Sequence, residues 1–470
     1  MLAIVEHAQA VRGRDEGEEK RMAARLKESG DGGRMGAAQV ADNFADLHPP
    51  LGAAKADVEA NRCLYCYDAP CVRACPTGID IPRFIHQIRT GNLDGSARTI
   101  LSANILGGTC ARACPTEILC EQACVLNAGE DAPIAIGALQ RHAVDHRLAK
   151  RCAHPFTRAT DSGKRIAVVG AGPAGLSFAH RAAMLGHAVT VFDAKPKSGG
   201  LNEYGLAAYK MTDDFAQREV AFVLGIGGID LRHGYALGEQ LQLAPLRSEF
   251  DAVFLAIGLG GSNALGVPGE NLPGVRDAID FIEELRQAPD KSQVRIGDDV
   301  VVIGGGNTAI DAAVQARRLG ARRVTLAYRR GGAQMGATAW EQELARSNGV
   351  IVELWAAPKA IAGDGRVESV TFERTQLRDG RLVGAGETFT INADCVLKAI
   401  GQNLVADELS ALERANGKIH VDAQFRTSLD GVYAGGDCIA SGLDLTVQAV
   451  EDGKRAAHSV DAWLRGKEQE

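Results

Sequence analysis

The chain has 470 residues, of which 46% are hydrophobic, 24% are charged and 55 are glycine. This globular composition excludes a collagen, a coiled coil and a disordered tail, and at about 100 to 200 residues per domain the length predicts a multi-domain enzyme. The 52 basic and 59 acidic residues give a net charge of −7. Because no long basic block occurs, a nucleic-acid partner is not expected.

Membrane and secretion signals are not found in the sequence. No apolar run approaches the roughly 18 residues that a membrane-spanning helix needs, so no membrane partner is expected. The N-terminal stretch has too short an apolar segment and too many acidic residues for a secretory signal peptide. These features predict a cytoplasmic protein.

The N-terminal third of the chain is predicted to be helical. Residues 1 to about 45 are charged and interrupted by glycine, which predicts a helix followed by a loose arm. From Asn43 to about His154, helix-like stretches alternate with Cys-Pro and Gly-Gly steps, and β-branched runs are few. We therefore expect residues 1–155 to form a small helical domain wrapped around its cysteines.

Eight of the 11 cysteines fall in a 62-residue window of this region, in runs spaced C-x2-C-x4-C-x3-C-P and C-x3-C-P-x4-C-x3-C; they are Cys63, Cys66, Cys71, Cys75, Cys110, Cys114, Cys120 and Cys124. In a cytosolic chain such a grouping indicates metal binding rather than disulfides. Both runs are close variants of the ferredoxin pattern and predict two iron–sulfur clusters. Zinc, packing cysteines and a C-x-x-C redox dithiol are the alternatives. The spacing alone does not decide whether Cys110 is a ligand.

A first dinucleotide-binding unit begins near Lys164 with the sequence KRIAVVGAGPAGLSFAHRAAMLGHAVTVFDA. A strand, a G-x-G-x-x-G turn at Gly170 to Gly175, a helix and a second strand ending at Asp193 follow in the order that the fingerprint requires. The glycines let a pyrophosphate approach the helix N-terminus, and the acid can bind a ribose. The Gly199-Gly200-Leu201 turn suggests that the dinucleotide is FAD.

A second unit begins at DDVVVIGGGNTAID, where Ala309 replaces the third glycine, as the motif permits. Its second strand ends in Tyr328-Arg329-Arg330, with no acid at that position. An arginine pair there favours the 2'-phosphate of NADP, and a solvated pair is the alternative.

The chain returns to the FAD domain near its C-terminus. Gly435-Gly436-Asp437 follows a predicted strand, and a helix is predicted to begin at Thr446. We expect an N-terminal α-helical iron–sulfur domain followed by two Rossmann-like α/β nucleotide-binding domains. The FAD-binding domain is assigned to 156–258 and 403–470, and the NAD(P)-binding domain to 259–402.

From about Asn43 onward, these runs and motifs resemble the superfamily of the glutamate synthase small subunit and the N-terminal half of dihydropyrimidine dehydrogenase. Two local features are similar to the pyrimidine enzyme: DAPC at Cys71, and IGALQR, which places Gln140 where that enzyme has a glutamine ligand. The segment NFADLHPPLG is also similar to it. The resemblance covers about nine tenths of the chain.

The resemblance implies ligands and contacts residue by residue. One 4Fe-4S cluster would be held by Cys63, Cys66, Cys71 and Cys124, and the other by Cys75, Cys114, Cys120 and Gln140, which leaves Cys110 as a non-ligand. FAD would contact Gly170, Gly172, Pro173, Ala174, Gly175, Asp193, Gly200, Leu201, Lys210, Leu237, Gly436, Asp437 and Thr446. The nicotinamide nucleotide would contact Gly304, Gly305, Gly306, Asn307, Thr308, Arg329, Arg330, Ala399, Ile400 and Gly401. Lys210 stands where the family has arginine.

The function that the resemblance implies is the electron-input subunit of dihydropyrimidine dehydrogenase. Hydride from NAD(P)H reduces FAD, and single electrons leave through the clusters, so no catalytic acid or base is expected. The pyrimidine-reducing FMN domain is not found in these residues, so a partner subunit with FMN and iron–sulfur centres is expected in a hetero-oligomer. A glutamate synthase small (beta) subunit and a stand-alone NAD(P)H:acceptor oxidoreductase are the alternatives. The resemblance implies NAD whereas the arginine pair favours NADP, so the nucleotide stays open.

Overall fold

The structure, a computed structural model, describes residues 35–129, 131–150, 152–405, 407–440 and 442–466. The helix predicted at the start of the chain lies outside these residues. The chain divides into two compact units. The smaller unit contains the described residues of 1–47, 204–212 and 262–402, and the larger unit contains those of 48–203, 213–261 and 403–470.

The α-helices of the described residues are numbered in chain order. They are α1 (Ala37–Asn43), α2 (Ala53–Asn61), α3 (Pro70–Ala74), α4 (Ile81–Arg89), α5 (Leu93–Ala103), α6 (Gly107–Ala113), α7 (Ile136–Leu148), α8 (Pro173–Met184), α9 (Leu201–Tyr204), α10 (Phe215–Leu224), α11 (Leu243–Glu249), α12 (Ala278–Gln287), α13 (Asn307–Leu319), α14 (Ala339–Ser347) and α15 (Thr446–Gly466). Short 3-10 helices cover Thr116–Ile118, Val125–Ala128, Lys291–Gln293, Gly332–Gln334 and Asp407–Leu409.

The strands of the described residues are numbered in the same way. They are β1 (Arg165–Val169), β2 (Ala188–Asp193), β3 (Ile229–His233), β4 (Ala252–Leu255), β5 (Gly261–Ser262), β6 (Val275–Asp277), β7 (Asp299–Gly304), β8 (Arg323–Tyr328), β9 (Ile351–Leu354), β10 (Ala356–Ala362), β11 (Ser369–Arg378), β12 (Arg381–Asn392), β13 (Cys395–Ala399), β14 (Gln402–Asn403), β15 (Arg414–Ala415), β16 (Lys418–Ile419) and β17 (Val432–Ala434).

The first part of the larger unit, through α7, is built from helices around a hydrophobic core. In α4 the apolar side chains Ile81, Phe84, Ile85 and Ile88 recur at helical spacing, and all four are buried. The side chain of Asp80 accepts a hydrogen bond from the backbone N–H of Arg83, which caps this helix at its N-terminus. The cysteine-bearing segments pack against the same core.

A five-stranded parallel sheet follows in the larger unit, in the order β17-β4-β1-β2-β3. Helix α8 connects β1 to β2, and its Phe178 stacks on Phe254 of β4 with ring centroids 4.2 Å apart. Helix α15 packs closely against α8. A Cβ at Gly453 of α15 would lie only 2.1 Å from the Ala174 carbonyl oxygen of α8. This β-α-β unit is the first predicted Rossmann-like fold.

The smaller unit contains the second Rossmann-like fold. Its parallel sheet has the order β6-β13-β7-β8-β9, and α13 connects β7 to β8. A separate antiparallel sheet of β10, β11 and β12 belongs to the same unit.

The position of helix α1 differs from the domain assignment made from the sequence. That assignment placed α1 in the helical domain 1–155, whereas the structure places it in the smaller unit. Val40 and Phe44 are buried in the core of the smaller unit. The Asn43 side-chain amide donates to the Arg318 carbonyl at 2.9 Å, and the Arg318 guanidinium donates to the Asn43 carbonyl at 3.1 Å. These buried reciprocal hydrogen bonds attach α1 to the end of α13, 275 residues away in sequence.

None of the helices in the part of the chain that the structure describes combines the length and the apolar character needed to cross a membrane.

Candidate cofactor sites

Four cysteines of the larger unit surround a cavity. Its wall contains Cys63, Cys66, Cys71 and Cys124, together with Leu64, Pro70, Ile81, Pro82, Ile85, Ala123, Val125, Leu126, Ile134 and Ile136. The structure thus brings together the four cysteines that the resemblance assigns to one cluster. Across the described residues, no three His, Cys, Asp or Glu side chains converge as they would around a single metal ion.

The thiols of this cavity influence one another electrostatically. Burial raises the pKa of the Cys63 thiol, and the neighbouring Cys66 and Cys124 raise it further. Burial, with Cys63 close by, raises the pKa of Cys71 to about 11. Such thiols stay protonated near neutral pH until a metal displaces the proton, so metal binding here is coupled to proton release.

A second group of thiols lies at the end of α6. A hydrogen bond with the Cys110 side chain, together with burial, raises the pKa of Cys114 well above its ordinary value. Burial also raises the pKa of Cys120, and Cys75 is among the groups that raise it further. The structure therefore groups Cys75, Cys114 and Cys120, and it places Cys110 beside them.

Gln140 lies on α7 and is buried. Its side-chain nitrogen donates a hydrogen bond of 2.7 Å to the carbonyl of Gly107, the first residue of α6. The amide is thereby fixed to α6, the helix that immediately precedes Cys114. Because this bond uses the nitrogen, the amide oxygen is the atom suited to serve as a metal ligand.

Glu219 of α10 is a buried acid that the sequence analysis did not identify. Its carboxylate accepts hydrogen bonds from the backbone N–H groups of Gly108 and Thr109, at 2.8 and 3.0 Å, and from the Thr109 hydroxyl. Burial raises its pKa to about 7, although these hydrogen bonds oppose the rise. The available sequence signal was an acid on the same face of α10 as Phe215, Val220 and Val223, which are all buried.

The glycine turn after β1 fits a dinucleotide. A Cβ at Gly170, where φ is +104°, would lie 2.2 Å from the Ala256 carbonyl oxygen, and one at Gly175 would lie 1.9 Å from that of Gly170. Pro173 begins α8, and no side chain caps the helix at Gly172. The open N–H groups at this terminus are suited to a pyrophosphate.

Asp193 is held beside this turn at the end of β2. Its two carboxylate oxygens accept hydrogen bonds from the backbone N–H groups of Ala171, at 2.7 Å, and Lys195, at 2.8 Å. Burial raises its pKa, and the same two hydrogen bonds oppose that rise. The acid therefore has the position from which the fingerprint binds a ribose.

Two other predicted FAD segments approach the glycine turn. A Cβ at Gly200, where φ is +53°, would lie 2.8 Å from the Gly172 Cα. A Cβ at Gly436, where φ is +77°, would lie 3.0 Å from that of Ala174. This crowding explains why the chain has glycine at both positions, where larger residues would fill the approach to α8.

Other predicted FAD residues also belong to the larger unit. The Thr446 hydroxyl, at the start of α15, donates to the side-chain oxygen of Asn202, one residue after Leu201, at 2.9 Å. Burial, with Asp444 close by, raises the pKa of Asp437 to about 6. Leu237 is half-buried against the core, beyond the end of β3.

Lys210, another residue predicted to contact FAD, has two carboxylate partners. It lies in the smaller unit, where its ammonium is 2.8 Å from Asp311 Oδ1 and 2.5 Å from Glu341 Oε1. The Tyr209 hydroxyl also donates to Asp311, at 2.9 Å. Lys210 is thus a member of a buried ionic network, and its contact with FAD stays a prediction.

The glycine turn of the smaller unit has the same construction as the first. A Cβ at Gly304 would lie 2.2 Å from the Ala399 carbonyl oxygen, and one at Gly305 would lie 2.4 Å from the Tyr328 ring. Ala399 pairs with Gly304 in the sheet, so the segment that continues through Ile400 to Gly401 begins beside this turn.

The helix that follows this turn offers polar groups to a nucleotide. Helix α13 begins at Asn307 with no side-chain cap at Gly306, and Thr308 in its first turn is exposed. The Asn307 side-chain oxygen is buried and has no hydrogen-bond partner in the described part of the chain. A buried amide oxygen without a hydrogen-bond partner, at a helix N-terminus that no side chain caps, fits a site that a bound nucleotide completes.

The arginine pair follows β8. The Arg329 side chain is exposed, and its carbonyl accepts a hydrogen bond from the Thr375 hydroxyl at 2.8 Å. The Arg330 carbonyl accepts one from the Trp355 backbone N–H at 3.2 Å. These bonds fix the backbone of the pair and leave the guanidinium groups to other partners.

A cysteine-rich domain followed by two Rossmann-like folds defines an NAD(P)-dependent flavoprotein with iron–sulfur electron transfer. Residues 40–152 match the family model for dihydropyrimidine dehydrogenase domain II, 4Fe-4S cluster, and residues 164–453 match that for pyridine nucleotide-disulphide oxidoreductase. The chain belongs to the pyridine nucleotide-disulphide oxidoreductase family, with a 4Fe-4S domain ahead of it.

Several curated proteins are similar over most of the chain. The NAD-dependent dihydropyrimidine dehydrogenase subunit PreT of Escherichia coli (strain K12) is 34% identical over 427 residues, which cover 90% of this chain and 98% of PreT. The glutamate synthase (NADPH) small chain of the same organism is 32% identical over 448 residues, with 90% and 94% covered. The predicted resemblance is confirmed.

A longer relative and a solved structure add to this comparison. The NADP(+)-dependent formate dehydrogenase subunit beta of Moorella thermoacetica is 34% identical over 439 residues, which are 84% of this chain but only 60% of that protein. FprA of Mycobacterium tuberculosis in complex with NADPH has a TM-score of 0.57 at 20% identity, covering 65% of this chain and 85% of FprA. The likeness to FprA shows a shared fold alone.

Proposed function

We propose that this chain is the electron-input subunit of an NAD(P)H-dependent dihydropyrimidine dehydrogenase. It passes electrons from NAD(P)H through FAD and two 4Fe-4S clusters to a PreA-type partner that contains FMN and iron–sulfur centres. The partner interconverts uracil or thymine and the 5,6-dihydropyrimidines. The observation that carries the proposal is the position of Gln140, which is buried and fixed by its amide nitrogen to α6, the helix that immediately precedes Cys114.

The proposed domains follow from this function. Residues 1–155 hold the clusters, apart from α1, which belongs with the NAD(P)-binding domain at 259–402. Residues 156–258 and 403–470 form the FAD-binding domain.

The proposed cluster ligands form two sets. One is Cys63, Cys66, Cys71 and Cys124, whose side chains line one cavity. The other is Cys75, Cys114, Cys120 and Gln140, with Cys110 as the competing fourth ligand. When bound, FAD and the clusters supply the conversion of a two-electron hydride into single electrons.

The chain's own residues bind and orient the dinucleotides. The N-terminus of α8 and Asp193 would hold the pyrophosphate and ribose of FAD, with the segments at Gly200, Leu201, Leu237 and Gly436 to Thr446 around them. The N-terminus of α13 and the segment Ala399 to Gly401 would hold the nicotinamide nucleotide, with Arg329 and Arg330 at its 2'-position. A redox site of this kind needs no protein acid or base.

The experiment that tests the function is anaerobic oxidation of NADH and NADPH by this chain, mixed with its co-expressed FMN-containing partner. Uracil or thymine is compared with 2-oxoglutarate plus glutamine as electron acceptor. Turnover with the pyrimidine alone is the expected result. Turnover with 2-oxoglutarate plus glutamine alone would instead identify a glutamate synthase small subunit, and turnover with neither would contradict both.

A further inference from the structure

Cys75 lies in a tight turn that Thr77 shares. The sequence Cys75-Pro76-Thr77-Gly78 has proline at the second position and glycine at the fourth, as β-turns favour. The Gly78 backbone N–H donates to the Cys75 carbonyl at 2.9 Å, and the φ of Gly78 is +64°. The turn folds the Thr77 side chain back, so that its hydroxyl oxygen lies 3.3 Å from the Cys75 sulfur.

The direction of this hydrogen bond is fixed once Cys75 binds iron. A ligating cysteine is a thiolate and has no proton, so the Thr77 hydroxyl must donate to the sulfur. Thr77 is only 4% exposed, so water has little access to its hydroxyl and does not compete with the sulfur as its hydrogen-bond partner. Hydrogen bonds to the sulfurs stabilise the negative charge added by one-electron reduction and raise the reduction potential.

Lys454 of α15 fixes the backbone of this turn. Its ammonium donates to the Thr77 carbonyl at 3.2 Å and to the Ala103 carbonyl, at the end of α5, at 2.8 Å. It is also paired with Glu451 at 2.6 Å. The turn is thus tied both to α5 and to the helix that begins at Thr446, which limits the movement of Thr77 away from the sulfur.

We propose that Thr77 is a tuning residue whose hydroxyl raises the reduction potential of the cluster held by Cys75. The inference rests on the proposed function, because it takes Cys75 as a cluster ligand. Nothing in the cysteine spacing indicates such a role, since it depends on the turn that brings residues 75 and 77 together.

The test is a potentiometric titration of the anaerobically purified full chain, with both clusters followed by EPR. Thr77→Val keeps the side-chain shape and removes the hydroxyl, and we expect it to lower the midpoint potential of one cluster. A tenfold change in its one-electron equilibrium corresponds to about 59 mV. Thr77→Ser should restore the wild-type value. Thr99→Val, which removes a hydroxyl bonded to Gln87 in the same helical region, should leave both potentials unchanged.

Each remaining outcome decides the proposal. A Thr77→Val chain with both clusters and wild-type potentials overturns it. If valine prevents cluster assembly, Thr77→Ala provides the same measurement. If Thr77→Val and Thr77→Ala both lose the cluster and Thr77→Ser keeps it, the hydroxyl is needed for cluster assembly. That result would overturn the tuning role.

Cys75→Ala separates this inference from the function on which it rests. Retention of both clusters by Cys75→Ala would contradict the proposed ligand set. Loss of one cluster in Cys75→Ala, together with unchanged potentials in Thr77→Val, would contradict the tuning role alone.

Discussion

The ammonium of Lys210 lies 2.8 Å from the Asp311 carboxylate, and both side chains are buried in the smaller unit. Glu341 is the second carboxylate partner of this ammonium. One lysine thus compensates two buried acids, and both carboxylate pairings raise the pKa of Lys210 against the effect of burial. The pairs join the segment 204–212 to the second Rossmann-like fold.

Lys210→Met should destabilise the smaller unit by about 3 to 5 kcal/mol, because removing one partner leaves buried carboxylates uncompensated. Thermal unfolding followed by circular dichroism measures the effect, with flavin content determined below the transition. The flavin content also tests the predicted contact of Lys210 with FAD.

Lys359→Met is the matched control in the same unit, because Lys359 is 51% exposed and pairs with Glu373 at 3.2 Å. Its cost should be below about 1 kcal/mol. Equal stability of the two variants would contradict the role assigned to the buried network. Specific loss of FAD from the folded Lys210→Met chain would support the predicted FAD contact.

Gln140→Ala should change the EPR signal of one cluster and leave the FAD content unchanged. The substitution removes a side chain anchored to Gly107, and with it the proposed ligand of the second cluster. Iron analysis and EPR of the reduced chain check the result. Cys110→Ser is the companion variant: a spectrum altered by Cys110→Ser and untouched by Gln140→Ala would make Cys110 the ligand.

Arg329→Ala combined with Arg330→Ala should weaken NADPH binding by about tenfold or more, because each guanidinium–phosphate hydrogen bond contributes on the order of 1.5 to 3 kcal/mol. NADH binding should change much less, since NADH has no 2'-phosphate. Titration of both nucleotides in wild type and variant tests this. Equal weakening of the two would leave the pair without a role in nucleotide selection.

In the Glu219→Gln variant, the stability of the larger unit should fall less with rising pH than it does in wild type. Burial raises the folded-state pKa of Glu219 from 4.5 to about 7, so the folded chain binds more protons than the unfolded chain between these values. Wild-type stability therefore falls through this range, and above pH 7 the ionised acid costs on the order of 3 kcal/mol. Glutamine lacks this titration.

The thermal midpoints of wild type and Glu219→Gln, measured from pH 5 to pH 8, should thus shift in favour of the variant as pH rises. Glu343→Gln, at a side chain that is 71% exposed, is the control and should show no such trend. A constant difference between Glu219→Gln and wild type across this range would show that Glu219 does not titrate there.

The sequence by itself predicted both Rossmann-like folds and the family. A dinucleotide turn is specified locally, because strand, glycine and helix signals lie within a few residues of one another. Glycine is needed wherever an added Cβ would lie about 2 Å from a backbone atom, as it would at Gly170, Gly175 and Gly304. Such requirements are visible in the residue types themselves.

Tertiary structure decided what depends on distant segments. Cys124 reaches the cavity of Cys63 only through the packing of the helices, and α1 joins the smaller unit through Asn43 and Arg318. The acid of Glu219 finds its donors 110 residues away at Thr109. Spacing fixes backbone geometry over a few residues, whereas these contacts arise from burying apolar surface and satisfying polar groups between segments far apart in the chain.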